Sequence, residues 1–203
     1  MKLLFIILLG YLLGSIPFAL VIGKVFYKTD IREHGSGNLG GSNAGRVLGM
    51  KAGMGTMAMD LLKVSAVVLI AKILDGSDTA MALGALAAGI GHCFPVFAGF
   101  RGGKAVANLY GFLFGLVAFA GRSWLYFLLP LLLYAVILYA GRMTSLSSMI
   151  SSVAAAIYIC LQPAESAPVK VVIVLYALLI VFRHRANIER IRNHNENKIH
   201  WLP

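Results

Sequence analysis

LLFIILLGYLLGSIPFALVIGKVF, Leu3–Phe26, carries a single charge, Lys24, and that at its far end. A hydrocarbon core of ~30 Å, crossed at ~1.5 Å per residue, takes ~20 apolar residues, so this stretch reads as a membrane span. Only Lys2 precedes it, and no small-residue cleavage site follows it. It is therefore expected to be an uncleaved first span rather than a signal peptide. Further apolar runs mark Met54–Leu74, Thr79–Phe97, Val106–Ala120, Trp124–Ala140, Leu146–Leu161 and Val169–Phe182. The expectation is an all-α integral membrane protein of about seven transmembrane helices, a single domain over residues 1–203.

Composition agrees. The 203 residues are 59% hydrophobic and 13% charged, and mean hydropathy is +0.82. A soluble domain carries about twice that charge, and a disordered chain is far less apolar. Neither a repeat nor a low-complexity segment appears. The formal net charge is +10. In a membrane chain such an excess points to topology and to anionic ligands or lipids. No basic run interleaved with aromatics suggests nucleic acid.

Crossing parity assigns the sides. With the segment after the first span cytoplasmic, that side holds thirteen Lys and Arg and the other holds four: Lys2, Lys72, Arg122 and Lys170. Positive residues favour the cytoplasm, which places the N-terminus outside and the C-terminus inside. Cys93 and Cys160 then fall near opposite ends of their spans, too far apart for a disulfide. They read as packing residues, and no grouping implies a metal.

The polar clusters gather on the cytoplasmic side. HGSGNLGGSNAGRVLG, His34–Gly49, offers glycines whose backbone N–H groups can converge on an anion, with Ser36, Asn38, Ser42, Asn43 and Arg46 beside them. A flexible loop of turn formers has the same composition. GHCFPVFAGFRGGKAVAN, Gly91–Asn108, sets Arg101 and Lys104 around Gly102 and Gly103 at the start of a helix. Amides and cations there are expected to point at one anion, although both cations also suit plain positive-inside anchors. His92 reads either as a site residue or as a satisfied helix-end histidine. RHRANIERIRNHNENKIHW, Arg183–Trp201, read as a helix, puts His184 and Asn187 on one face while Arg183, Glu189 and Arg190 project elsewhere. The alternative is an amphipathic basic tail on anionic lipid, anchored by Trp201. Ser145, in GRMTSLSSM, joins the same side. Inside the second span, Asp60 and Lys63 stand three apart and are expected to form an ion pair.

Together these segments resemble the PlsY-type family of bacterial glycerol-3-phosphate acyltransferases, which use acyl phosphate as donor. That family has a Ser-Gly-Asn-x-Gly-Ala-Thr-Asn loop, matched at Ser36–Asn43. Its Gly-His-x-Phe-Pro-x-Phe…Lys-Gly-Gly-Lys segment is matched at Gly91–Lys104, and its His-x-x-Asn-Ile-x-Arg segment at His184–Arg190, with Glu196 and Lys198 beyond. Here Gly41 and Ser42 replace Ala-Thr, Arg101 replaces Lys, and His194 replaces Gly. The resemblance implies seven helices in the bacterial inner membrane and an active site on the cytoplasmic face. It also implies 1-acyl-glycerol 3-phosphate and inorganic phosphate as products.

Read as chemistry, two phosphate-bearing substrates need cations, supplied by Arg46, Lys104 and Arg101. Ser36, Asn38, Gly40, Gly41, Ser42, Asn43, His92, Gly102, Gly103 and Ser145 complete the expected binding set. His184 is the candidate to polarise the attacking hydroxyl, with Asn187 orienting substrate. No His-x4-Asp pattern and no Gly-x-Ser-x-Gly elbow occurs, so direct transfer without an acyl-enzyme is expected. No cofactor and no obligate protein partner is inferred; membrane lipids surround the chain. The rival reading, a transporter of a phosphate ester, calls for ligand groups near the midplane between repeated halves.

Overall fold

The computed structural model describes residues 1–199, so the expected anchor Trp201 lies outside the described residues. All its regular structure is helical: α1 (Lys2–Gly14), α2 (Phe18–Phe26), α3 (Gly41–Leu48), α4 (Met50–Leu74), α5 (Asp78–Cys93), α6 (Val106–Ala120), α7 (Leu125–Gly141), α8 (Thr144–Cys160), α9 (Ala167–Arg183) and α10 (Arg185–Arg192). Each expected span has a helical counterpart, with α1 and α2 together forming the first. The boundaries differ: the second span begins at Met50, and the third ends at Cys93 because Pro95 cannot continue it. Lys2–Phe26 and Asp78–Ala98 are each long and apolar enough to cross a bilayer by themselves, as is the bent pair of α9 and α10 taken as one.

The packing is inverted relative to a soluble protein. Leu4, Phe5, Leu8 and Leu12 of α1, Leu128 and Leu132 of α7, and Leu175 and Leu178 of α9 face outward. Asp60, Lys63, His92 and Asn108 are buried. Only lipid makes such an exterior favourable.

Helices with no hydrophobic drive toward one another associate where small residues let backbones approach. A Cβ on Gly10 would lie 2.5 Å from the Gly84 carbonyl oxygen, and one on Gly14 only 2.1 Å from that of Ala88. These glycines seat α1 on α5. Two breaks then shape the cavity end. Pro17 interrupts the first span, and His184 bends α9 from α10 by 56°. At the opposite end Arg122 ties the α6–α7 loop to the start of α5 and to the α8–α9 loop, bonding Asp78 at 2.6 Å and Glu165 through both carboxylate oxygens at 3.0 Å. Cys93 and Cys160 are free thiols.

Candidate active site

One cavity of about 310 Å³ opens at the end of the bundle where the segment His34–Gly49, the Gly-Gly-Lys loop and the chain beyond α9 meet. In the first of these, the turn at Gly35 requires positive φ, +61°, and is closed by Asn43. The Asn43 Oδ1 accepts from the Ser36 N–H at 2.9 Å, while its Nδ2 donates to the carbonyls of His34 and Ile31. Asn43, expected to bind substrate, thus spends its polar atoms holding the loop's shape. That shape sets α3 with its N-terminus at the cavity: Gly40, Gly41 and Ser42 line it, as do Ser36, Asn38 and Arg46. The Gly41 and Ser42 amides precede the first intrahelical bonds and have no backbone partner among the described residues. An anion is the natural acceptor for them.

The second loop corrects its reading in detail. The Gly103 amide donates to the His92 carbonyl at 3.0 Å, so it is not free for an anion. The Gly102 and Gly103 carbonyls are taken by Arg183, whose Nε donates to Gly103 at 3.0 Å and Nη2 to Gly102 at 3.1 Å; Asn38 Nδ2 also donates to Gly102 at 3.3 Å. Arg183, expected to project away, is therefore the clamp of this loop, with its guanidinium 5.1 Å over the Phe94 ring. Only Lys104 of the expected cation pair reaches the cavity; Arg101 is exposed outside its lining.

The third segment is not one helix. At His184 the imidazole Nδ1–H donates to the Ile180 carbonyl at 2.8 Å, capping α9 and leaving Nε2 with a lone pair. After Arg192 the chain turns through His194, at φ +57°, and Glu196 returns to the cavity. Glu196 Oε1 accepts from Ser145 Oγ at 2.7 Å and Asn187 Nδ2 at 2.6 Å, and its Oε2 accepts from Arg190 Nε at 2.8 Å. Asn187 passes the polarity on, its Oδ1 accepting from Lys104 Nζ at 2.6 Å. These donors hold Glu196 below the usual carboxylate range despite its partial burial.

The charge balance follows. Asp60 is matched by Lys63 at 2.7 Å, as expected, and Glu196 by Arg190. Arg46 and Lys104 line the cavity with no carboxylate in ion-pair contact among the described residues. Burial brings Lys104 down to about 8, with Glu196 opposing and Arg190, Arg183 and Arg46 assisting. Burial likewise lowers His184 to about 4, aided by the Lys104 charge, so its imidazole is neutral at pH 7.

A wall that the sequence did not single out completes the cavity: Met57 and Leu61 of α4, Tyr110 of α6, and Phe127, Leu131 and Tyr134 of α7. The Tyr110 hydroxyl donates to the Pro130 carbonyl at 3.0 Å, and its ring meets Phe127 and Tyr134 edge to face. The cavity thus joins a cationic end fit for phosphates, a neutral imidazole acceptor and an apolar flank.

A family model described as "Glycerol-3-phosphate acyltransferase" matches residues 4–194. The glycerol-3-phosphate acyltransferase of Geobacillus kaustophilus is 44% identical over 196 residues, 97% of this chain and 95% of that one. That of Streptococcus thermophilus is 45% identical over 206 aligned residues, 98% and 94% of the two. The crystal structure of PlsY, an integral membrane glycerol 3-phosphate acyltransferase, in its glycerol 3-phosphate form superposes with TM-score 0.90 at 33% identity, covering 98% of this chain and 96% of that one. Its lysophosphatidic acid form gives 0.88 at 32%. With matched family, relatives and fold each spanning nearly its whole length, this chain belongs to the glycerol-3-phosphate acyltransferase family.

Proposed function

We propose that the protein transfers a fatty acyl group from acyl phosphate to a hydroxyl of glycerol 3-phosphate, giving 1-acyl-glycerol 3-phosphate and inorganic phosphate for phospholipid synthesis. The observation that carries this reading is the cavity with two cations lacking carboxylate partners at one end and an apolar wall along its flank. Two phosphates match Arg46 and Lys104, with the α3 amides beside them, and an acyl chain matches Tyr110, Phe127 and Leu131. The solved relative with glycerol 3-phosphate and lysophosphatidic acid forms agrees in substrate and product class.

The transfer itself asks little of the protein. The glycerol oxygen attacks the acyl carbonyl carbon, and the bond from that carbon to the phosphate oxygen breaks. The hydroxyl proton is steadied by His184 Nε2 and leaves with the phosphate, already a good leaving group. Holding both substrates at ~3 Å supplies most of the rate. Among the described residues no serine or cysteine bonds either cavity histidine, which supports direct transfer without an acyl-enzyme. Seven crossings with the site cytoplasmic, in a bacterial inner membrane, fit the excess of Lys and Arg on the segments that meet at the cavity.

Purified protein given glycerol 3-phosphate and either palmitoyl phosphate or palmitoyl-CoA will form product from the phosphate donor alone. Product from the thioester at a comparable rate would reassign the donor.

Lys104 sets the pH profile. In the free enzyme it is protonated below about pH 7 and loses its charge through about 8. Hence kcat/KM for glycerol 3-phosphate holds from about pH 7, above the second ionisation of the substrate phosphate at about 6, to that value, and falls with unit slope above it. Bound phosphate favours the ammonium, so the corresponding limb in kcat moves to higher pH. A kcat/KM profile flat from pH 7 to 10 would remove Lys104 from binding.

A further inference from the structure

Beside His92, expected to bind substrate, lies a buried charge pair, Asp60 and Lys63, to which the transfer chemistry assigns no task. Asp60 and His92 line the cavity, and Lys63 stands beyond them; their exposures are 1%, 6% and 7%. Apolar residues in such places are often as stable as a buried ion pair, so stability alone does not account for the cluster.

An ammonium has three N–H donors and no acceptor. Lys63 Nζ has three acceptors around it: Asp60 Oδ1 at 2.7 Å, the Ile16 carbonyl at 3.0 Å and His92 Nδ1 at 3.1 Å. The Phe18 ring, its centroid 5.6 Å away, adds a face suited to a cation. The break in the first span provides the second acceptor. Leu20 donates to Pro17, one residue on, so the Ile16 carbonyl is left for Lys63.

With all three protons assigned, His92 Nδ1 holds a lone pair and the proton of the neutral ring sits on Nε2. The other tautomer would set an N–H 3.1 Å from the ammonium, and the carboxylate oxygen near Nδ1, Asp60 Oδ1 at 3.4 Å, is the more distant neighbour and is bonded by Lys63 at 2.7 Å. Nε2 lies against Gly103, where a Cβ would come within 2.0 Å of it, and no protein group among the described residues accepts from it. We propose that Asp60 and Lys63 are positioning residues that hold His92 as an uncharged Nε2–H donor, presented to an anionic oxygen of the substrates in the cavity. The two cavity histidines are thereby opposites. The Ile180 carbonyl leaves His184 an acceptor suited to a hydroxyl, and Lys63 makes His92 a donor suited to phosphate or to the developing oxyanion. The assignment rests on the acyl-transfer reading.

Nitrogen-15 histidine spectra of the intact protein in detergent will show His92 protonated at Nε2 and bare at Nδ1. Protonation at Nδ1 in the unaltered protein overturns the proposal without recourse to any variant. Asp60→Asn with Lys63→Met removes both charges together and leaves no buried ion unpaired. That double variant will lose the fixed tautomer, and kcat/KM for glycerol 3-phosphate will fall about 10²-fold, the scale for loss of one preorganised donor. A fall in kcat at constant KM places the donor on the oxyanion, and a rise in KM alone places it on bound phosphate. A double variant as active as the parent overturns the proposal. If the parent makes no product from acyl phosphate, the acyl-transfer reading fails, while the spectra still decide the tautomer.

Discussion

Lys104→Met will lower kcat/KM for glycerol 3-phosphate by about 10³-fold, or ~4 kcal/mol of transition-state stabilisation. Three features place the effect at the top of that scale. Lys104 is partly buried, so its charge acts in a medium that screens it weakly. Its only hydrogen-bond partner among the described residues is the Asn187 carboxamide at 2.6 Å, a neutral group that orients the ammonium without cancelling it. Its fellow cations are committed elsewhere: Arg183 to loop carbonyls, Arg190 to Glu196, and Lys63 to Asp60. Only Arg46 remains, and one exposed guanidinium cannot hold two phosphates in register. The fold will survive, because methionine fills the aliphatic path of the lysine and Glu196 keeps Arg190. Thermal unfolding in detergent should move by only a few degrees. A variant within tenfold of the parent would assign phosphate binding to other groups.

Much of this site was readable from the sequence because its chemistry stands out against the apolar runs. Gly, Asn, Ser and Arg concentrate in three segments, and crossing parity sends all three to one end. What remained hidden depends on bonds to backbone, which leave no side-chain signature at the partner position. Arg183 reads as an ordinary basic anchor at a helix end, yet it reaches back 80 residues to two glycine carbonyls. Asn43 reads as a ligand and serves as the loop's staple. The bend at His184 carries no Pro or Gly, and periodicity runs through it undisturbed. There the His184 ring donates to the Ile180 carbonyl beside the backbone N–H, and His184 itself leaves helical geometry at φ −95°, ψ 8°, ending α9 where the pattern continues. The apolar wall was hidden for another reason. Phe127 and Leu131 face the cavity while Leu128 and Leu132 face lipid, and one vocabulary serves both faces of α7.

Gly103→Ala will abolish turnover to about the same degree, by at least 10³-fold, and by shape alone. A Cβ there would lie 2.0 Å from His92 Nε2 and 2.7 Å from its Cε1. Ring rotation offers no relief, since Nδ1 is tied to Lys63 at 3.1 Å and the cluster behind it is buried. The backbone must yield instead. Gly103 is fixed on both sides, its N–H by the His92 carbonyl and its own carbonyl by Arg183, so the strain passes to Lys104, the next residue. Overpacking of this kind costs about 1–3 kcal/mol of stability, tolerable for a bundle held along its other helices. Displacing a substrate-holding cation by ~1 Å costs far more in rate. Gly99→Ala is the control. That glycine sits at φ +62° with no atom within 4 Å of its Cβ position, so alanine meets backbone strain of ~1–2 kcal/mol and no clash. It should keep activity within about threefold of the parent. Equal losses in the two variants would trace the effect to general loosening of the 91–104 loop rather than to the wedge between Gly103 and His92.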